Sequence, residues 1–385
     1  MTEQMTIAKV VVQKLEQAGF EAVIVGGAVR DALLNRPFHD VDVATEALPE
    51  QVKALFPKTI DVGIEHGTVL VLEQGVGIEV TTYRTESTYS DSRRPDAVQF
   101  VRDLREDVKR RDFTMNALAM RADGEVVDYY GGQTHLAEQL ICAVGEPSER
   151  FREDALRMLR AVRFVAQLGF TIEAATMNAI QQHAPTLQNI AIERIQAELE
   201  KLFVAPFVAR GIEALRVSGL AEQLPGVFNE HAWQHMTITD ANVGWAYLAK
   251  LSQFDAVTIA HHYRLANKQK QFIAHVLAAV EKDDWTPLDY FMYDEHVLVT
   301  AGAIRHAFNN EAVTPTQIRM AKSALPIQEK AQLAVNGQHV MSWYDKKSGP
   351  WLKEALAAIL AAVVNGDIEN DEQRIKEWFN REWNN

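Results

Sequence analysis

At 385 residues, 47% hydrophobic and 24% charged, with no repeat or low-complexity tract, the chain reads as a soluble multidomain enzyme with more than one core. Cys142 is the sole cysteine, which excludes an intramolecular disulfide and a Cys-rich zinc site. A net charge of −13 argues against a uniformly basic RNA binder, because Lys and Arg supply the phosphate contacts that dominate nucleic-acid affinity. The N-terminal run MTEQMTIAKVVVQKLEQ has helical periodicity and acidic residues where a signal peptide would be basic and then unbroken apolar. The longest apolar run near the C-terminus, Ala355 to Val364, is shorter than the roughly 20 residues a bilayer requires. A cytoplasmic protein without membrane contact is expected.

From Val23 to Ala44 a strand-like run ends in Gly26-Gly27, a helix-like run carries Arg30 and Asp31, and Asp40-Val41-Asp42 follows on a second strand. Side chains alternate across a strand, so Asp40 and Asp42 project from one face, where two carboxylates suit a divalent ion. Mg²⁺ prefers one or two carboxylates plus substrate phosphates, and metal-assisted phosphoryl chemistry uses that arrangement. The glycines allow backbone N–H groups to approach a triphosphate at the next helix N-terminus. Each element also has a plain structural reading, as a tight turn and as a surface Asp-x-Asp. Together, GGAVRD followed by HDVDVAT resembles the DNA polymerase β-like nucleotidyltransferases, and specifically the class II tRNA nucleotidyltransferases, which rebuild the CCA end of tRNA.

Up to about Arg121, β-rich runs alternate with helices: VIVGG, HDVDVAT, TVLVLE, GIEVTTY, DAVQFV and FTMNALAM. On the fourth run Glu79 is either the third carboxylate that the resemblance implies or a solvated strand glutamate. Tyr83 to Pro95 is polar, lacks an apolar period and ends in proline, so a mobile loop near the site is expected. Arg110-Arg111-Asp112-Phe113-Thr114-Met115-Asn116-Ala117 resembles the family's second motif. The resemblance implies that Arg111 and Asp112 read the ribose, whose 2′-hydroxyl both donates and accepts, and that Asn116 braces the turn. Val127 to Gly132 resembles the third motif, a hinge, although paired glycines also make plain loops.

Beyond Gly132 the pattern is helical. In Glu153-Asp154-Ala155-Leu156-Arg157, spacing on one helix predicts that Asp154 and Arg157 share a face. Such a pair can read a base edge: cytosine and adenine show an amino donor beside a ring-nitrogen acceptor, whereas uracil and guanine show a carbonyl and N–H. The competing reading is an intrahelical Glu153–Arg157 ion pair. EDALRMLRAVRF resembles the family's amino-acid template motif, with Arg160 and Arg163 on successive turns, and Glu193 to Leu199 resembles the motif that supports it. Basic residues gather at Arg93-Arg94, Arg102, Arg105, Lys109 to Arg111, and from Arg152 to Arg163, a focused lining that lets an acidic chain bind RNA. Near the end, Lys346, Lys347 and the Gly349-Pro350 turn either grip a tRNA phosphate or cap a helix.

The resemblance thus implies an α+β chain: a nucleotidyltransferase head over 1–130, a helical neck with the template helix over 131–205, a helical body over 206–305 and a tRNA-binding tail over 306–385. It implies Mg²⁺, held by Asp40 and Asp42, as cofactor and tRNA, CTP and ATP as partners, with no protein partner. Bacterial poly(A) polymerases share the head but carry an Arg-rich strand where Gly63 to Thr68 stands here; the resemblance implies a shortened loop in CC-adding members, so the uninterrupted segment from Tyr83 to Pro95 leads to the expectation of full CCA addition, with CC-adding or A-adding enzymes as alternatives. The reading of a different class is a catalytically silent RNA-binding clamp.

Overall fold

The computed structural model describes residues 2–38, 40–86, 98–309, 313–344 and 348–383. Two compact units result, Met1–Gln234 and His235–Asn385. The first begins with α1 (Glu3–Gln17), capped by Thr2, whose side chain accepts from the Met5 N–H. Ile7, Ala8, Val11, Val12 and Leu15 recur at helical spacing and are buried, and α1 packs on the sheet through them.

The sheet is built from β1 (Ala22–Val25), β2 (Asp42–Thr45), β3 (Thr59–Gly63), β4 (Thr68–Glu73), β5 (Val76–Thr82) and two later pieces. Between them lie α2 (Gly27–Leu33) and α3 (Pro49–Leu55). A separate ladder pairs β6 (Arg84–Glu86) with β7 (Val98–Phe100), α4 (Leu104–Lys109) follows, and β8 (Ala119–Met120) and β9 (Val126–Val127) complete the sheet. The order is β3-β4-β5-β2-β1-β8-β9; β2 and β5 run parallel, and the other neighbours antiparallel. Val23, Val25 and Ala44 pack with Leu104, Val108 and Tyr83 in one core.

One local expectation fails, and one strand lies outside the runs read as β-rich. FTMNALAM is not a strand throughout: Thr114–Asn116 forms a 3₁₀ turn and only Ala119–Met120 pairs. Asn116 and Asp112 hydrogen-bond each other there, a side-chain demand that overrides the apolar pattern. The edge strand β3 carried no comparable signal, because Ile60, Asp61 and Val62 are all exposed and show no inside–outside alternation.

The remaining elements of this unit are mainly helical: α5 (Gly132–Ala137), α6 (Pro147–Glu153), α7 (Leu156–Leu168), α8 (Ala174–His183), α9 (Ile192–Phe203) and α10 (Val208–Val217). Where the sheet gives way to helices, Asp128 accepts from the N–H groups of Tyr130, Gly132 and Gln133 at 3.2, 2.9 and 2.9 Å. A Cβ on Gly132 would lie 2.3 Å from the Thr114 carbonyl oxygen, so the backbones touch at the expected hinge. Helix α7 is buried around nearly its whole circumference and packs on α9 and α10. A Cβ on Gly211 would lie 2.6 Å from that of Ala166, which shows how closely α10 crosses α7.

In the second unit the described elements are helices. Ala241–Leu251, Asn267–Val280 and Glu295–Asn309 pack in sequence, and Ile359, Val363, Ile375 and Phe379 centre a second core. Gly349 is the N-cap of the helix Pro350–Val364, with proline in its first turn. Lys346 and Lys347 lie outside the described residues.

Candidate active site

Gly26 ends β1 and opens α2 with φ of 75°, a conformation that only glycine adopts cheaply. An ideal Cβ there would sit 3.1 Å from Arg111 Nη1, and one on Gly27 would sit 3.6 Å from Arg30 Nη2, so two guanidinium groups flank the turn. On the adjacent strand Asp42 is the register partner of Val25, the residue before the turn, and on its other side it is the partner of Glu79. The strand begins at Asp42, so Asp40 belongs to the segment leading in; Asp40 and Asp42 are exposed and Val41 between them is buried.

The Asp42 pKa is raised, chiefly by partial desolvation among its neighbours and next by the Glu79 charge; Arg111 opposes the rise and Asp40 adds to it. Among the described residues no hydrogen bond or ion pair engages the Asp40, Asp42 or Glu79 carboxylates, and the nearby Arg111 charge offsets only part of the repulsion felt by Asp42. No three His, Cys, Asp or Glu side chains close into a metal-binding group among the described residues. Two hard-oxygen carboxylates in an incompletely neutralised cluster fit Mg²⁺, which keeps water and phosphate ligands.

Arg111 and Asp112 follow the C-terminus of α4. Arg111 is partly buried and its Nε has no partner among the described residues. Asp112, at 8% exposure, is saturated: Arg160 donates to Oδ2 at 2.8 and 2.5 Å, the Asn116 amide donates to Oδ1 at 3.0 Å, and the Phe113 N–H does so at 2.8 Å. Burial alone would raise the Asp112 pKa, yet Arg160 and these hydrogen bonds hold it well below the usual carboxylate range. Asn116 in turn accepts from Arg30 at 2.7 Å, and Arg30 is paired with Asp31. Four predicted residues, Arg30, Asn116, Asp112 and Arg160, therefore form one continuous network, and Arg30, Arg160 and Arg163 also surround the Phe164 ring.

Asp154 and Arg157 do not share one helix. Helix α6 ends at Glu153, Asp154 is extended with φ of −147° and ψ of 103°, and α7 starts at Leu156. The Asp154 side chain accepts from the Leu156 N–H at 3.1 Å, and this cap competes with helix continuation. Arg194 from α9 grips both of its carboxylate oxygens, at 3.2 and 2.7 Å. Arg157 is buried, donating to Glu153 at 2.6 Å and to the Arg110 carbonyl at 2.8 Å. The competing ion pair is thus present, together with a tie to the arginine segment.

The expected basic lining is largely neutralised within the protein. Arg110 pairs with Asp107, and Arg163 with Glu198 at 2.5 Å, whereas Lys109, Arg102, Arg105 and Arg152 remain exposed. Arg93 and Arg94, and the expected loop beyond Glu86 as far as Pro95, lie outside the described residues. Asp107 escaped the sequence reading, although its spacing of three and four residues before Arg110 and Arg111 was a visible signal.

Residues 22–142 match the Poly A polymerase head domain, 169–230 a family described as an RNA- and SrmB-binding site of polymerase A, and 236–379 the tRNA nucleotidyltransferase domain 2. The CCA-adding enzyme of Geobacillus kaustophilus is 44% identical over 383 residues, covering 96% of this chain and 95% of that protein. The chain belongs to the CCA-adding enzyme family. The Geobacillus thermodenitrificans CCA-adding enzyme is 45% identical with the same coverage. The crystal structure of the Bacillus stearothermophilus CCA-adding enzyme in complex with CTP superposes with a TM-score of 0.89 at 42% identity, covering 99% of this chain and 98% of that one. This family member therefore has the mixed α+β head and helical remainder of its solved relative. Among the described residues no helix is long and apolar enough to cross a membrane.

Proposed function

We propose that this chain adds C, C and A in turn to the 3′ end of tRNA, without a nucleic-acid template, from two CTP and one ATP. The observation that carries this reading is the position of Arg111: it lies against the Gly26 turn and within the electrostatic reach of Asp42, so the phosphate cradle and the carboxylates converge on one cation. Gly26, Gly27, Arg30 and Arg111 receive the triphosphate and ribose, and Asp112 and Asn116 act with them through the buried network. Asp40 and Asp42 would hold Mg²⁺, which when bound lowers the pKa of the attacking hydroxyl and offsets charge on the pyrophosphate. Glu79, beside Asp42, is the third acidic group of the catalytic set. The tRNA 3′-oxygen attacks the α-phosphate in line, its proton leaves, and pyrophosphate departs.

Base choice falls to Asp154 and Arg157, with Asp154 accepting from the exocyclic amino group and Arg157 donating to the ring nitrogen. Both lie at the α6–α7 junction, where Arg194 holds Asp154 and the Arg110 carbonyl holds Arg157 until a base takes their place. Arg160 and Arg163 brace that junction through Asp112 and Glu198. The working division is head 1–130, neck 131–205, body 206–305 and tail 306–385, with the tail on the tRNA and the whole protein in the cytoplasm.

Incubation with Mg²⁺ and tRNA transcripts ending at the discriminator base or in CC, with CTP and ATP singly and together, tests the reading at one-nucleotide resolution. Ordered addition that stops at CCA is expected. Arrest at CC, a lengthening A tail or no extension would instead identify a CC-adding enzyme, a poly(A) polymerase or a silent RNA clamp.

A further inference from the structure

Asp107 is 1% exposed, and it lies on the last turn of α4. Its Oδ1 accepts from Arg110 Nε and Nη2 at 3.1 and 2.9 Å and from the Arg84 backbone N–H at 3.3 Å, while Oδ2 accepts from Arg111 Nη2 at 3.4 Å. One buried carboxylate thus meets two consecutive arginines and the first residue of β6. Burial alone would raise its pKa, yet Arg110 and Arg111 hold it below the ordinary value, so it is an anion in the fold. From the other side, the carbonyls of Lys109 and Arg110 accept from Arg150 and Arg157 at 3.1 and 2.8 Å. The segment carrying Arg111 is therefore clamped twice, by Asp107 and by the arginines of α6 and α7. The long contact to Asp107 takes only Nη2 of Arg111, which leaves Nη1 against the Gly26 turn and a buried Nε without a partner among the described residues.

We propose that Asp107 is a positioning residue for nucleotide transfer, aiming Arg111 at the Gly26-Gly27 turn while tying it to the start of β6. The inference rests on the reading of Arg111 as a nucleotide contact. A guanidinium held by a buried anion has lost its rotamer freedom before substrate arrives, so the charge-assisted contact to a phosphate or ribose oxygen forms without that ordering cost. Asn at this position keeps the shape and one acceptor oxygen but removes the charge that orients Arg111.

The test compares wild type, Asp107→Asn, Arg111→Ala and the double variant. Melting temperature is recorded, with kcat and KM for CTP on tRNA ending at the discriminator base and for ATP on tRNA ending in CC. Arg111→Ala is expected to raise both KM values; Asp107→Asn is expected to raise both about tenfold with kcat nearly unchanged, the signature of lost uniform binding. The double variant should be no worse than Arg111→Ala, because Asp107 acts through that residue. Unchanged KM in Arg111→Ala would refute the nucleotide contact itself. A raised KM in Arg111→Ala beside a normal KM in Asp107→Asn, or losses that multiply in the double variant, would overturn the role of Asp107 alone. Should Asp107→Asn fail to fold, Asp107→Glu keeps the charge but displaces it; a raised KM is again expected and a normal one overturns the proposal.

Discussion

Arg160 on α7 grips a single oxygen of Asp112 with two N–H donors, at 2.8 and 2.5 Å, and so couples α7 to the segment that follows α4. Removing one partner of a buried pair strands the other charge, at a cost of about 3–5 kcal/mol. Because the Arg160 side chain is one-third exposed, at 33%, water recovers part of that, and Arg160→Met should destabilise by about 3 kcal/mol. Denaturant unfolding at pH 7 measures it; a loss below about 0.5 kcal/mol would mean the clamp is a surface pair in energetic terms.

The same pair sets a pH dependence. The folded Asp112 pKa is depressed, so its contribution is fully present above the unfolded value of about 4 and is lost as pH falls toward the folded value. The stability gap between wild type and Arg160→Met should therefore be widest above pH about 5 and shrink as the solution is acidified below pH about 4. A gap that widened in acid would contradict an ionised Asp112.

Arg194 offers a test of base choice away from any group proposed to touch the base. It holds both Asp154 oxygens, and Arg194→Ala should let that carboxylate rotate. A misplaced bidentate reader forfeits about 1–3 kcal/mol of discrimination, so preference for CTP over UTP should drop about tenfold. Competitive incorporation assays with both nucleotides report the ratio, and an unaltered ratio would remove Asp154 from base reading.

The two glycines should separate folding from function. Gly26 needs its φ of 75°, so Gly26→Ala is expected to lower both the melting temperature and activity. A Cβ on Gly27 meets only Arg30 Nη2, at 3.6 Å, an ordinary contact, so Gly27→Ala should keep its melting temperature while KM for both nucleotides rises. Unchanged KM there would place the triphosphate elsewhere.

Asp42→Asn should reduce nucleotide incorporation at least 100-fold, the scale on which metal-held charge stabilises a transition state. Its pKa is raised in the fold, so the ionised form is the one the fold disfavours; loss of the charge should leave the melting temperature at pH 7 unchanged or higher. A lower melting temperature would make Asp42 a structural carboxylate.

Sequence alone was enough to place the Gly26-Gly27 turn, the strand that carries Asp42, and the change from sheet to helix near Gly132, although that strand starts after Asp40, which alternation had put on it. These depend on periodicity, backbone freedom and motif order, all local properties of the chain. What only the tertiary structure decided is how the charges pair. The run from Arg157 to Arg163 reads locally as a cationic face, yet Arg160 is neutralised from 48 residues away by Asp112 and Arg163 from 35 residues away by Glu198. The break of the helix at Asp154 likewise accompanies the contact with Arg194, 40 residues on. A buried charge must find a partner wherever the fold brings one, and that partner leaves no trace in the local pattern.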